Sequence, residues 1–266
     1  MAESAADPGR AGARARVAVL GAHGRMGTRT CVSITDATDL ELVAQLGRGD
    51  DLAELAAARA QVLVEYSPAD TVFDHVRFAA EHGIHAVVGT SGIDADRTAA
   101  IAELLRQHPG VGVLVVPNFA LGAVLAQRFT RQAARFFASA EIIELHHAGK
   151  ADAPSGTAAA TAATIGAARI AAGLGDVPDA TTVDPGHARG ATVAGVHVHA
   201  VRLPGLVAHQ EVLLANPGEL LTIRHDSFDR SSFMPGVLAA IRAAPYRPGL
   251  TVGLEQILGL DPDDPR

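Results

Sequence analysis

Short apolar runs alternate with longer amphipathic segments through the first half of the chain. Five runs are short and rich in apolar residues, as buried strands are, and they span residues 17–20, 41–46, 61–65, 85–88 and 111–116. The segments with helical character run to about Ala37, from 69 to 82 and from 94 to 107. Strands that alternate with helices of this length predict a parallel sheet covered on both faces.

The pattern changes after residue 118. Residues 121–137 predict one long helix, 140–147 a strand, 155–172 a helix and 233–243 a final helix. Between the last two helices, residues 196–203, 206–214 and 219–225 read as strands without intervening helices, which predicts an antiparallel or mixed sheet. We therefore predict an α/β fold with two domains. The first takes residues 17–117 and 227–266, the second takes 118–226, and 1–16 form a flexible tail.

Composition narrows the function classes. The chain of 266 residues has a net charge of −7 and no basic block, which argues against binding of nucleic-acid phosphates. No apolar run is long enough to span a membrane, so we expect no membrane partner. Cys31 is the only cysteine, which excludes an intrachain disulfide and suits a reducing, cytoplasmic compartment.

A glycine-rich turn joins the first predicted strand to the first helix. Its spacing is G-x-x-G-x-x-G over residues 21–27. Such a turn lets phosphate oxygens approach the backbone N–H groups at a helix N-terminus, although glycines alone also make ordinary tight turns. Its place after the first strand favours dinucleotide binding. The residues predicted to hold the pyrophosphate are Gly21, Ala22, His23, Gly24, Arg25 and Met26.

The residues after the second strand choose between the two nicotinamide dinucleotides. An acid there favours NAD, whereas a nearby arginine favours the phosphate of NADP. Here Gly47 and Arg48 stand at this place, so we predict a preference for NADPH. In the alternative interpretation, Arg48 is only a solvated surface charge. The nearby Asp50 and Asp51 would support NADH binding.

The most informative stretch is ELHHAGKADAPSGTA, residues 144–158. It suits an anionic substrate, because histidine exchanges protons near neutral pH, lysine is a positive point charge, and a helix N-terminus holds a carboxylate. The residues concerned are His146, His147, Lys150, Ser155, Gly156 and Thr157.

Simpler interpretations of this stretch remain open. Neighbouring strand side chains point to opposite faces, so one of His146 and His147 can be a core residue. Ser155 can merely cap the helix. We expect no metal site, because neither cysteine nor a well-spaced carboxylate accompanies the histidines.

At this point the chain resembles the 4-hydroxy-tetrahydrodipicolinate reductase family, also called dihydrodipicolinate reductase. The resemblance covers nearly all of the chain after residue 16. It is carried by GAHGRMG (21–27), VVGTSG (87–92), VPNFALGAV (116–124), ELHHAGKADAPSGTA (144–158) and IRHDSFDRSSFMPGV (223–237).

The resemblance implies a Rossmann-like domain and a central α+β substrate domain whose mixed sheet builds a homotetramer. It implies an enzyme of lysine and diaminopimelate biosynthesis that passes a hydride from NAD(P)H to C4 of a cyclic dicarboxylate. His146 would be the acid-base residue, Lys150 a proton donor and His147 a substrate contact, with Gly156 and Thr157 on a substrate carboxylate. The loops around the nicotinamide would contribute Gly89, Thr90, Ser91, Val116, Pro117, Asn118 and Phe119.

Two features depart from the family pattern. The acid or acid-arginine pair usual after the second strand is replaced by Gly47 and Arg48, and the third strand ends Glu65-Tyr66-Ser67-Pro68 rather than Asp-Phe-Thr/Ser with proline two residues on. Two other functions suit a similar fold. A semialdehyde dehydrogenase needs a nucleophilic thiol in the second domain, and Cys31 falls in the first helix. A non-catalytic NADP sensor has no need of His146 and Lys150 together.

Overall fold

The computed structural model describes residues 14–90 and 92–260, which form two compact units. The first unit ends at Phe119 and resumes at Phe233, and the second is Ala120–Ser232. The elements of the first unit are β1 (Ala15–Leu20), α1 (Arg25–Asp36), β2 (Leu40–Leu46), α2 (Ala53–Ala57), β3 (Val62–Glu65), α3 (Val72–Glu81), β4 (His85–Val88), α4 (Ala95–Arg106) and β5 (Gly112–Val115) before the second unit, and α7 (Met234–Ala243) and β11 (Gly249–Val252) after it.

A six-stranded parallel sheet organises the first unit, in the order β11-β5-β4-β3-β1-β2. Every residue of β3 and β5 is buried, as expected for strands covered on both faces. One apolar cluster packs α3 and α4 against β4 and β5, and a second surrounds Leu20, Leu46 and Leu63. The order turns back between β1 and β3, where open α/β sheets bind their ligands.

A mixed five-stranded sheet organises the second unit, in the order β10-β9-β6-β8-β7. Its elements are α5 (Leu121–Ala134), β6 (Ser139–His146), α6 (Gly156–Ala171), β7 (Ala191–Val193), β8 (Val196–Arg202), β9 (Ala208–Asn216) and β10 (Glu219–Ser227). β6 runs parallel to β8 and antiparallel to β9. Both helices cover the same face of the sheet, where Ile142, Val198 and Val212 pack against Ala162 and Ile165.

The α/β fold class with one parallel and one mixed sheet is confirmed, and the differences lie at the edges. β1 begins at Ala15, so the predicted tail 1–16 was too long at its end, and residues 1–13 lie outside the described part of the chain. α2, β7 and β11 are short elements that were not predicted. The chain passes between units after Phe119 and Ser232, later than the predicted 118 and 227. None of the described helices is both long and apolar enough to cross a membrane.

Candidate active site

The glycine turn of the first unit is tight because backbone segments pack directly against each other there. Gly21 has φ +79°, a conformation that favours glycine, and its N–H donates to the carbonyl of Leu46 at 2.8 Å. A Cβ on Gly27 would overlap the backbone of Gly21 and Ala22. α1 starts at Arg25, so its first N–H groups lack intrahelical acceptors and, with the helix dipole, favour an anion.

A cavity of about 610 Å³ opens beside this turn at the carboxyl ends of β1, β2 and β3. Among the predicted residues, Gly21, His23, Gly24 and Arg48 line it, whereas the Ala22 side chain is buried. The further lining residues, which the sequence reasoning had not assigned to a site, include Tyr66, Ser67, Asp70, Thr71 and His75. A pocket of this size that borders a helix N-terminus fits the nucleotide part of a dinucleotide.

The residues after β2 bring one acidic and one basic side chain to this cavity. The Asp50 carboxylate accepts the N–H of Gly47 at 2.7 Å, and Asp50 and Arg48 both line the cavity. The Asp51 carboxylate instead accepts the N–H of Ala53 at 2.9 Å. A Cβ on Gly47 would come within 2.9 Å of the His23 ring, so any side chain at position 47 would require this ring to move.

The residues at the end of β3, which depart from the family pattern, have partners inside the first unit. Glu65 is fully buried, and its carboxylate pairs with Nδ1 of His75 at 3.0 Å and accepts the N–H of Ser67. The hydroxyl of Tyr66 hydrogen-bonds to Thr30 at 2.9 Å, and burial raises the pKa of Tyr66. Of these residues, Tyr66, Ser67 and His75 line the cavity.

The loops after β3 and β5 bring two aromatic rings together, with Gly89 after β4 beside them. Tyr66 and Phe119 pack edge to face with centroids 6.5 Å apart, and a Cβ on Gly89 would lie 2.5 Å and 2.6 Å from these rings. Thr90 donates to the carbonyl of Ser67 at 2.7 Å. Val116 and Phe119 are both buried. Of the other loop residues predicted to lie near the nicotinamide, Pro117 and Asn118 follow β5, and Ser91 lies outside the described residues.

A network of charged residues lies at the carboxyl end of β6 in the second unit. Glu144 is fully buried and accepts from Nδ1 of His146 at 2.6 Å and from both terminal nitrogens of Arg202 at 2.8 Å each. Burial alone would raise the pKa of Glu144, but the hydrogen bonds from Arg202, His146 and Ser155 hold it below its usual value. Burial lowers the pKa of His146, and the bond to Glu144 offsets this only in part.

Lys150 lies in the loop that follows. Its Nζ contacts both carboxylate oxygens of Asp152, at 2.7 Å and 2.8 Å, and its backbone N–H donates to His147. His147 lies beyond the end of β6 and is partly exposed. Lys150 is the one lysine among the chain's 22 lysine and arginine residues.

The three residues predicted to hold a substrate carboxylate at the start of α6 differ in exposure. Ser155 is buried, and its hydroxyl oxygen accepts the N–H of Ala158 at 3.2 Å, so it caps the helix. The capping interpretation therefore describes the hydroxyl oxygen, and contact of Ser155 with a substrate carboxylate stays a prediction. Gly156 and Thr157 are exposed at the first turn, where a helix attracts anions.

Glu144, Arg202 and Asp152 were missed as members of this site. Glu144 and Asp152 stood within the motif, but no pattern shows which carboxylates face the histidine. Arg202 is brought to His146 only by the parallel register of β6 and β8. In the described part of the chain, no group of three or more His, Cys, Asp or Glu side chains is arranged to hold a metal ion.

Two family models together cover most of the chain. "Dihydrodipicolinate reductase, N-terminus" matches residues 15–119, and "Dihydrodipicolinate reductase, C-terminus" matches residues 122–258. The chain is 56% identical over 246 residues to the 4-hydroxy-tetrahydrodipicolinate reductase of Cutibacterium acnes, which covers 92% of this chain and 99% of that protein. It is 58% identical over 246 residues to the enzyme of the same name from Beutenbergia cavernae, with the same coverage.

Solved structures show the same relationship. The dipicolinate-bound dihydrodipicolinate reductase of Paenisporosarcina sp. TG-14 superposes with a TM-score of 0.79 at 35% identity, covering 92% of this chain and 99% of that one. The diaminopimelate dehydrogenase of C. glutamicum, with a TM-score of 0.56 at 16% identity and coverage of 94% of this chain and 97% of that one, shares the fold. The chain therefore belongs to the dihydrodipicolinate reductase family.

Proposed function

We propose that this chain reduces 4-hydroxy-tetrahydrodipicolinate to tetrahydrodipicolinate in lysine and diaminopimelate biosynthesis. The substrate loses its hydroxyl as water and gains a hydride at ring C4 and a proton, while NAD(P)H becomes NAD(P)⁺. The observation that carries the proposal is the network in the second unit, where Glu144 and Arg202 connect His146 to the loop of Lys150. The relatives named above carry this activity in their names.

The first unit fits a nicotinamide dinucleotide. When bound, the dinucleotide supplies the hydride. The turn at Gly21 and Gly24 and the N-terminus of α1 would hold its pyrophosphate, because the glycines carry no side chain and the first N–H groups of α1 lack intrahelical acceptors. The cavity beside them would take the adenosine half.

We propose NADPH as the preferred dinucleotide, with NADH as the alternative. Arg48 lines the cavity and can pair with the extra phosphate of NADPH. Asp50 lines the same cavity and can accept hydrogen bonds from the ribose hydroxyls of NADH. The two side chains therefore act in opposite directions on the preference.

The proposed substrate carries two carboxylates, and the second unit offers matching positive groups. The N-terminus of α6 at Gly156 and Thr157 favours one carboxylate, and His147 and the Lys150 ammonium lie on the preceding loop. The related Paenisporosarcina structure holds dipicolinate, which is also a dicarboxylate.

The ring that receives a hydride develops negative charge and needs a proton. His146 is suited to give it, since Nδ1 faces Glu144 and Nε2 is the nitrogen left for a substrate. Lys150 is the second candidate donor, because an ammonium can release a proton and a guanidinium cannot. Desolvation lowers the pKa of His146, which makes its protonated form the stronger acid.

A homotetramer in the cytoplasm completes the proposal. Both helices of the second unit cover one face of the mixed sheet, and its outermost strand β10 exposes Leu220 and Leu221, which subunit contacts would bury. The reducing compartment follows from the single cysteine, as the composition predicts.

A coupled assay tests the function. Pyruvate and aspartate semialdehyde would be condensed by a separate synthase, and oxidation of NADPH and of NADH by this protein would be followed by absorbance. We expect turnover with both dinucleotides that depends on the synthase. Binding of NADPH without turnover would instead support the sensor, and turnover of a semialdehyde without the synthase would support the dehydrogenase.

A further inference from the structure

Glu144 has no capacity left for a ligand. Its two oxygens accept four hydrogen bonds, two from Arg202, one from His146 and one from the N–H of Ser155. A carboxylate offers about four lone-pair sites, so these partners saturate it. Because its side chain is fully buried as well, Glu144 can act on a reaction only through its neighbours.

The bond to Glu144 decides which nitrogen of His146 carries hydrogen. An ionised carboxylate can only accept, so Nδ1 must be the donor across the 2.6 Å contact. In the neutral ring the lone pair then sits on Nε2, and a proton gained or lost by His146 passes through Nε2. No ring flip is needed between the two states.

The guanidinium of Arg202 also forms its hydrogen bonds with groups of the protein. It binds both oxygens of Glu144 in the bidentate geometry that suits a guanidinium, and NH2 also donates to the backbone carbonyl of Asp152 at 2.8 Å. The carboxylate of the same Asp152 holds Lys150. The histidine and the lysine are thus both tied to one pair of side chains on neighbouring strands.

We infer that Glu144 and Arg202 are the positioning pair of the active site, which fixes His146 with Nε2 outward and anchors the loop that presents Lys150. The inference rests on the proposed function for its catalytic consequence, but its structural content is independent of the substrate. Three charged groups act on His146, namely Glu144 on its own strand, Arg202 on β8 and Lys150 in the loop, and Asp152 pairs with Lys150.

The chain supplies a matched control on the same strand. Glu141 also accepts from an arginine, Arg189, and from a histidine, His199, whose Nε2 lies 2.7 Å away. Glu141 and Glu144 are three positions apart on β6, so their side chains lie on opposite faces of the sheet. Glu141→Gln therefore removes the same kind of ion-pair network without touching His146.

The experiment is nitrogen NMR of the histidine rings in the wild type, Glu144→Gln and Glu141→Gln, with His146→Gln used to assign the signal. We expect the neutral ring of His146 to be protonated on Nδ1 in the wild type. In Glu144→Gln its pKa should fall by roughly 1–3 units, the effect of losing one adjacent opposite charge. In Glu141→Gln it should not move.

Kinetics add a second readout. Glu144→Gln should lower kcat by about tenfold or more with little change in KM, because a general acid contributes roughly 10²–10⁴ in rate. The high-pH limb of the kcat profile should move to lower pH, since His146 loses its proton sooner. Glu141→Gln should keep the wild-type profile.

Two results would overturn the inference. One is a wild-type ring protonated on Nε2, a measurement that needs no variant to fold. The other is an unchanged titration of His146 in Glu144→Gln. A wild-type protein inactive in the coupled assay would sink the proposed function, whereas the NMR result would still decide the positioning pair.

Discussion

The carboxylate of Asp50 accepts the N–H of Gly47 at 2.7 Å. The fold therefore brings an acidic side chain to the end of β2, although the residues directly after the strand, Gly47 and Arg48, are not acidic. Asp50 lies in the same cavity as Arg48. Despite the departure from the family pattern at residues 47 and 48, the cavity therefore has both an acidic and a basic side chain.

Replacement of these two residues should shift the preference in opposite directions. Arg48→Ala should raise KM for NADPH about tenfold relative to NADH, because a charged hydrogen bond contributes about 1.5–3 kcal/mol. Asp50→Asn keeps an acceptor for Gly47 but removes the charge, and should favour NADPH. Steady-state kinetics with both dinucleotides measure this. Asp51→Asn is the control, since Asp51 binds Ala53, and an equal shift in this variant would contradict the assignment.

His146→Ala should lower kcat by roughly 10²–10⁴, the usual contribution of a general acid. Dinucleotide affinity, measured by fluorescence titration, should stay near the wild-type value because His146 belongs to the second unit. Turnover close to that of the wild type would refute the role of His146 as the acid.

Lys150 allows a test of charge against proton transfer. Lys150→Arg keeps the positive charge, but a guanidinium does not release a proton, so kcat should fall almost as far as in Lys150→Ala while KM changes less. Because Lys150 is the only lysine, amine-directed acylation of the wild type should inactivate it in parallel. Full activity of Lys150→Arg would show that the charge alone suffices.

Gly89→Ala should destabilise the first unit by about 1–3 kcal/mol, the usual cost of overpacking. The new methyl group would lie 2.5 Å from the Tyr66 ring and 2.6 Å from the Phe119 ring. Urea denaturation measures the change. Gly110→Ala is the control, since a Cβ there meets nothing within 4 Å, and equal losses in the two variants would exclude ring contact as the cause.

Acid should weaken the first unit through His85. Its Nδ1 accepts the N–H of Gly112 at 3.0 Å, which requires the neutral ring, and burial lowers its pKa. The unfolded chain therefore binds the proton at higher pH than the folded one, so stability is present above the ordinary histidine pKa of about 6.5 and is lost as pH falls below it. Unfolding free energies at several pH values should show a shallower slope in His85→Gln.

Local patterns predicted most of the frame. The predicted strand at 85–88 has the bounds of β4, because the run is short, three of its four residues are apolar and Gly89 follows it. β11 escaped notice, since Gly249–Val252 follows a proline and pairs only at the edge of the sheet with β5. Its stability comes from a partner more than a hundred residues earlier, which no local pattern contains.

The candidate site divides in the same way. His146, Lys150 and Gly156 were predicted together because one loop joins them. Arg202 could not be placed, since its contact with Glu144 depends on the register of two parallel strands. The capping role of Ser155 could not be told from the sequence, because a capping serine and a ligand-binding serine look alike there.

The interrupted first unit has a consequence for the order of folding during synthesis. β11 and α7 come from the last part of the chain, after the whole of the second unit has left the ribosome. The mixed sheet can therefore close on the nascent chain while β5 still forms the open edge of the parallel sheet. Until translation ends, that bare edge offers unpaired N–H and carbonyl groups to other chains, which makes chaperone protection most valuable in this interval.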